Sequence, residues 1–279
     1  MKKLIALLLA LTMVLSFAAC ANTGSSNTEG EKESTGTSDP TGSTGTNEPK
    51  DDPAVKSEGV MTHAEYVAAG VNAEVTIEAY VQAKQGWWEQ DGQGKATIYL
   101  QDTVGGYFVY NLHCTQEQYN KMTVGTKLKI KGFTTEYAGE YEIDGTDATF
   151  EILEGNYVAD ALDATNLLAN EDLIKYQNMK VSFKGAIVVA STIKDDPNEY
   201  AFLYNWNGAG QAGSDLYFNV SINNKTYTFC VESYLCGDGT AVYEAVEALK
   251  IGDVIDMEGF LYWYNGAQPH ITSVTVTSK

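Results

Sequence analysis

The residues in this sequence best able to do chemistry are three histidines, four cysteines and several acidic turns, and their spacing supports little of it. His113 and Cys114 are neighbours on an expected strand, so their side chains point to opposite faces and cannot act as a dyad. His63 and His270 stand far from each other in the chain. There is no serine elbow, no HExxH and no phosphate-binding glycine loop. Asp144-Gly145-Thr146-Asp147, Asp195-Asp196-Pro197-Asn198-Glu199 and Asp238-Gly239 lack calcium-loop spacing and read as solvated turns. No catalytic residue, metal or cofactor is therefore expected, and the chain is not expected to be an enzyme. Cys230 and Cys236 could close a short disulfide loop. The preferred reading is that Cys114, Cys230 and Cys236 are small buried hydrophobes.

Charge restricts the partners. The chain has 37 acids, 18 lysines and no arginine, for a net charge of −19. Phosphate backbones are bound by neutralising them with Lys and Arg. The sequence therefore sets nucleic acid aside as a partner.

The elements come in two sets. Val124-Gly125-Thr126-Lys127-Leu128-Lys129-Ile130-Lys131-Gly132-Phe133 aligns with Ile251-Gly252-Asp253-Val254-Ile255-Asp256-Met257-Glu258-Gly259-Phe260, at an offset of 127 residues. The match runs on to Tyr137-Ala138-Gly139 against Tyr264-Asn265-Gly266. A repeat this long means two copies of one domain. In the first copy strands are expected at 75–83, 96–101, 107–112, 126–133 and 141–152, with a capping box, Thr115-Gln116-Glu117-Gln118, opening a short helix. In the second they are expected at 181–190, 215–222, 225–232, 253–261 and 270–277, with a helix at 240–249. Residues 162–176 read as a linking helix. Lys127, Lys129 and Lys131 form a stripe expected either to dock on the acidic second domain, to mark the one anion-tolerant surface, or simply to face solvent.

Three strands, a helix and two strands is the order of the OB-fold, and "TVGTKLKIKG" and "KIGDVIDMEG" resemble the helix-to-fourth-strand passage of bacterial OB-type domains. The expected fold is all-β with short helices: two tandem OB-fold-like five-stranded barrels after a disordered tether. Staphylococcal-type nucleases share this barrel, but that family uses arginines that this chain lacks.

The start of the chain carries an address. Met1-Lys2-Lys3 precedes an apolar run ending in small residues, which reads as a secretory signal peptide. Leu15-Ser16-Phe17-Ala18-Ala19-Cys20 resembles a bacterial lipobox, with Phe17 where leucine is usual. The resemblance implies a bacterial lipoprotein whose Cys20 is acylated and whose folded part lies on the extracellular face of the cell membrane. Residues 1–19 are then the signal peptide and 20–60 the lipidated cysteine and a Ser/Thr/Gly/acidic tether. Residues 61–155 and 156–279 are the two OB-like domains.

OB-folds bind ligands across strands two and three and the flanking loops. Those loops hold Trp87, Trp88 and Tyr137 in the first copy, and Tyr204, Trp206, Tyr262, Trp263 and Tyr264 in the second. Aromatic faces without basic partners suit a glycan or an apolar peptide, so the expected function is a non-enzymatic binding module for one of these. The alternative is that the rings fill the barrel mouths, which makes the chain a structural or adhesion lipoprotein with no small ligand.

Overall fold

The computed structural model describes residues 52–278. The expected signal peptide, Cys20 and most of the expected tether lie outside the described residues. Among the described residues, no helix is long and apolar enough to cross a membrane. The last part of the expected tether contacts the first barrel. Lys56 Nζ lies 2.6 Å from Asp102 Oδ2 and also donates to the Glu78 carbonyl.

The first set begins with α1 (His63–Ala69). Thr62 and Glu65 close a capping box on it, and Tyr66 drives into the core. The strands that follow are β1 (Glu74–Lys84), β2 (Trp88–Gln90), β3 (Gln93–Gln101) and β4 (Gly106–His113). After the short α2 (Gln116–Lys121) come β5 (Lys127–Tyr137) and β6 (Glu140–Leu153). The Thr115–Gln118 capping box forms as its sequence predicts.

The second set opens with β7 (Leu162–Asp163) and a 3-10 turn (Glu171–Tyr176). Then come β8 (Lys180–Val189), β9 (Ser191–Thr192), β10 (Glu199–Tyr200), β11 (Leu203–Tyr204), β12 (Leu216–Ile222) and β13 (Lys225–Val231). Helix α3 (Ala241–Glu247), β14 (Val254–Phe260) and β15 (His270–Ser278) complete it. The expected linking helix is corrected: only its last six residues are helical, as a 3-10 helix, while Leu162 and Asp163 pair in parallel with β8.

Both sets close into five-stranded barrels. In the first, β1 pairs with β5 over its first half and with β3 over its second, bending at a bulge between Val81 and Ala83. The circuit β1-β3-β4-β6-β5 returns to β1, with β4 and β6 parallel. In the second, β8-β12-β13-β15-β14 returns to β8, and β13 and β15 are again the parallel pair. This is the OB strand order twice, so the fold is two tandem OB-type barrels.

Alternation fills each barrel. Val75, Ile77, Ile98, Leu100, Val109, Leu128, Ile130 and Ile143 pack the first. Val181, Phe183, Phe218, Val220, Phe229, Ile255, Met257 and Ile271 pack the second. The lysine stripe does not dock on the second barrel, contrary to one expectation. Lys127 and Lys129 approach Glu78 at 3.5 and 3.9 Å, and Lys131 approaches Glu74 at 3.1 Å, across the β1–β5 ladder. Cross-strand acids of the same barrel already answer the stripe. Cys114 and Cys230 are buried, Cys236 is half-buried, and all three are free thiols.

Candidate functional site

A third apolar cluster lies where the barrels meet. Tyr99 of β3 stacks on Phe260 of β14 at 4.5 Å and packs against Phe108 of β4. The Tyr99 hydroxyl is 2.9 Å from His270 Nδ1. Polar bonds frame the cluster. Lys180 N donates to Gln101 Oε1 at 2.7 Å, Trp263 N to Glu140 Oε2 at 2.8 Å, and Gln85 Nε2 to Glu232 Oε2 at 3.0 Å. The repeat's own equivalent loops also meet: Asn265 N donates to the Ala138 carbonyl, and the rings of Tyr137 and Tyr264 lie 6.0 Å apart.

Beside this contact the barrels leave a cleft of about 1470 Å³. Strand alternation aims its walls. On β12, Leu216, Phe218 and Val220 point into the barrel, so Tyr217 points out to the cleft. On β13, Phe229 and Val231 point in, leaving Cys230 to the cleft, and Glu232 lines it just past the strand's end. On β4, Tyr107 and Val109 fill the core, and Phe108 and Tyr110 face outward. On β6, Ile143 is inside, and Glu142 and Asp144 line the cleft.

Six of the eight aromatic residues expected at the site line this cleft: Trp87, Trp88, Tyr137, Trp206, Tyr262 and Tyr264. Trp87 is half-buried, with its indole N–H donating to the Cys114 carbonyl at 3.1 Å. Trp88 opens the short hairpin strand β2 rather than standing in a loop. The other two are corrected. Tyr204 packs on the second core and donates its hydroxyl to Glu247 at 2.6 Å. Trp263, outside β14 in an isolated bridge to Ala267, also packs on the second core, with its ring beside Gly139 of the first barrel. Sequence reasoning looked to loops and so missed Phe108, Tyr110, Tyr217, Tyr234 and all the cleft acids. The period-2 pattern of β4, β12 and β13 was the signal that could have found the strand residues.

The cleft is acidic. Glu136, Glu142 and Asp144 of the first barrel face Asp215 and Glu232 of the second, and no lysine lines the space. Burial pushes Glu142 up to about 7, with the Asp144 charge adding to it. Burial likewise raises Glu232 to about 7, helped by Asp215 and opposed by the Tyr234 and Leu235 amides and Gln85. Behind the wall, burial raises Glu140 to about 8. His270 is stacked on Tyr262 at 4.2 Å, and burial lowers its pKa to about 3, so it is neutral at physiological pH. Burial also holds the Cys230 thiol well above its ordinary value, so it stays protonated. The arrangement offers ring faces, carboxylates and protonated acids. It contains no activated nucleophile.

No protein-family model and no curated protein matches the sequence. Solved structures resemble its layout weakly. A murine DNA-binding protein bound to double-stranded DNA is 10% identical, with 73% of this chain and 97% of that chain aligned and a TM-score of 0.34. The Ifi202 HINa domain in complex with 20-bp double-stranded DNA is 12% identical over 74% of this chain and 99% of that one, with a TM-score of 0.31. A replication protein A heterotrimer bound to single-stranded DNA is 12% identical over 76% of this chain and 52% of that one, at 0.30. These proteins are described with DNA, not with a sugar or a peptide. On that finding the expected glycan or peptide ligand is withdrawn, and so is the setting aside of nucleic acid.

Proposed function

We propose that the chain is a non-enzymatic binding module, displayed on the outer face of the cell membrane by a lipid on Cys20, and that the inter-barrel cleft takes flat, ring-bearing ligands by stacking. The observation that carries this reading is the gathering of aromatic rings along one cleft, several of them open to solvent. Trp206 and Tyr234 are 74% and 75% exposed there. Exposed apolar surface gathered in one concave place marks an interaction site, whereas single exposed rings scattered over a surface do not. The strands and docked loops hold the other rings in place, so stacking costs little ordering. The protonated Cys230 and neutral His270 support a binding role over a catalytic one.

The test is a calorimetric panel of planar heteroaromatic compounds, nucleosides and a short single-stranded oligonucleotide. Trp206→Ala is expected to weaken the best binder about tenfold, which corresponds to roughly 1.4 kcal/mol. Trp263→Ala, whose ring packs on the second core and is not in the cleft lining, should lower stability and change that affinity less than Trp206→Ala does. An oligonucleotide whose affinity falls steeply with salt would identify a nucleic-acid partner, because released counterions set that slope. If no flat ring binds, or if Trp206→Ala has no effect, the cleft is not the site.

The anchor has its own test. In the bacterial host, Cys20→Ser should move the protein from the membrane pellet to the soluble fraction, since the anchor's acyl chains supply the membrane binding. A mutant that still pellets and partitions into detergent would refute lipidation at this residue.

A further inference from the structure

We propose that the cleft selects a positively charged planar ligand, an organic cation such as a quaternised heteroaromatic ring, over a neutral ligand of the same shape. The inference rests on the reading of the cleft as a ring-binding site and adds the charge.

Of the buried acids away from the cleft, Glu78 has Lys127 and Lys129 and Asp102 has Lys56 at 2.6 Å, while Glu140 and Asp253 have no lysine. The acids lining the cleft have no lysine among the described residues. Asp215 Oδ1 accepts from the Ser233 amide and hydroxyl at 2.8 and 2.6 Å, and Glu232 accepts from Gln85 and two amides. These donors are neutral, and they orient the carboxylates without cancelling their charge.

Glu142 goes further. Only 5% of it is exposed, its side chain lines the cleft, and it accepts no hydrogen bond from any described residue. Its oxygens are not among the fully enclosed unpartnered atoms, so the carboxylate reaches the cleft, where an entering cation can pair with it. The ring faces point the same way. Aromatic faces carry negative potential, and a cation held over Trp or Tyr is stabilised by it. Tyr110, Tyr137 and Trp206 present such faces beside the carboxylates. Lys95 Nζ lies 4.8 Å from the centroid of the Trp88 ring, but no lysine is placed over these three faces among the described residues, and His270 is neutral.

The titratable groups that share the cleft with Glu142 are Glu136, Asp144, Asp215, Glu232, Cys230, neutral His270 and the tyrosines Tyr110, Tyr137, Tyr217, Tyr234, Tyr262 and Tyr264, with Lys95 over the Trp88 ring. Acidification therefore protonates Glu142 and Glu232 first and removes negative charge, and no group of the lining gains positive charge above about pH 3. Cation affinity should fall with pH.

The experiment uses isothermal titration calorimetry with N-methylquinolinium, quinoline and quinoline-2-carboxylate at about pH 8, where the three are cationic, neutral and anionic. The cation is expected to bind at least about tenfold more tightly than quinoline, and the anion more weakly than either. Glu142→Gln should reduce the cation-to-neutral ratio about tenfold, and lowering the wild type to about pH 5.5 should reduce N-methylquinolinium affinity by a similar factor. The pH arm does not depend on the variant folding. Equal affinity for quinoline and its cation would overturn the charge selection while leaving the ring-binding cleft intact. No binding by any of the three would overturn the cleft reading as well.

Discussion

Glu140→Gln is expected to raise the melting temperature at about pH 9 and to flatten most of the decline in stability that the native chain shows above about pH 6.5. Glu140 opens β6 and is fully buried. One of its oxygens, Oε2, accepts from the Trp263 amide at 2.8 Å. The other, Oε1, is buried without a hydrogen-bond partner. The Asn178 side chain and the Trp263 amide favour the ionised form, but burial outweighs them and raises the pKa to about 8, helped by the Glu142 charge.

The sign follows. A carboxyl raised above its unfolded value gives its full stability at low pH and loses it as pH climbs through the folded value. Glu142 and Glu232, both raised to about 7, add to the same decline. Neutral His270 acts in the other direction, but only below its ordinary range near pH 6.5, so the scan is read above that. Gln keeps an acceptor for Trp263 and has no charge to bury at any pH. The gain at about pH 9 should be on the order of a few kcal/mol. Circular-dichroism melts of both chains across pH 6.5 to 9 would read it. A native chain that grows more stable with rising pH, or a variant with the native slope, would show that Glu140 is ionised.

The barrels were legible from the sequence because each is made of local alternation repeated at one offset. The ten expected strands all form, within a few residues at each end, since period-2 burial is written residue by residue in segments such as Leu216–Ile222. The small additions were not legible. Strands β9, β10 and β11 are two residues each and carry no periodicity to read. Helix α1 was missed although Thr62 and Glu65 spell its cap. The cleft was legible only in its loop aromatics. Its acids look like ordinary solvated surface until the second barrel docks and desolvates them, and that docking depends on Tyr99 meeting Phe260, 161 residues away in sequence. The lysine stripe failed for a related reason. Its partners, Glu74 and Glu78, sit on β1, about fifty residues earlier, and only the β1–β5 register brings them together.

The repeated glycine gives the sharpest contrast between the two copies. Gly132 and Gly259 occupy equivalent positions, and each lies at a register shift in its barrel, next to the partner strand it crosses. A side chain at either must displace something, but not the same thing. A Cβ on Gly259 would come within 2.2 Å of the His270 carbonyl oxygen and 2.8 Å of Ile271 Cα, which are backbone atoms of β15. A Cβ on Gly132 would meet the Ala148 Cβ and Ile143 Cγ2, both at 2.9 Å, and side chains yield more readily. Gly259→Ala is therefore expected to cost about 3 kcal/mol or more, and Gly132→Ala about 1 kcal/mol. Urea unfolding of the two single variants would measure both. The larger loss should come with a functional one. Moving the backbone at His270 disturbs its bond to Tyr99 and its stack on Tyr262, so the cleft loses its fixed floor. Ligand affinity should drop in Gly259→Ala even at temperatures where the variant is fully folded, and hold in Gly132→Ala. Equal stability losses would mean that β15 shifts as easily as a side chain. Unchanged binding in the Gly259 variant would mean that His270 does not shape the site.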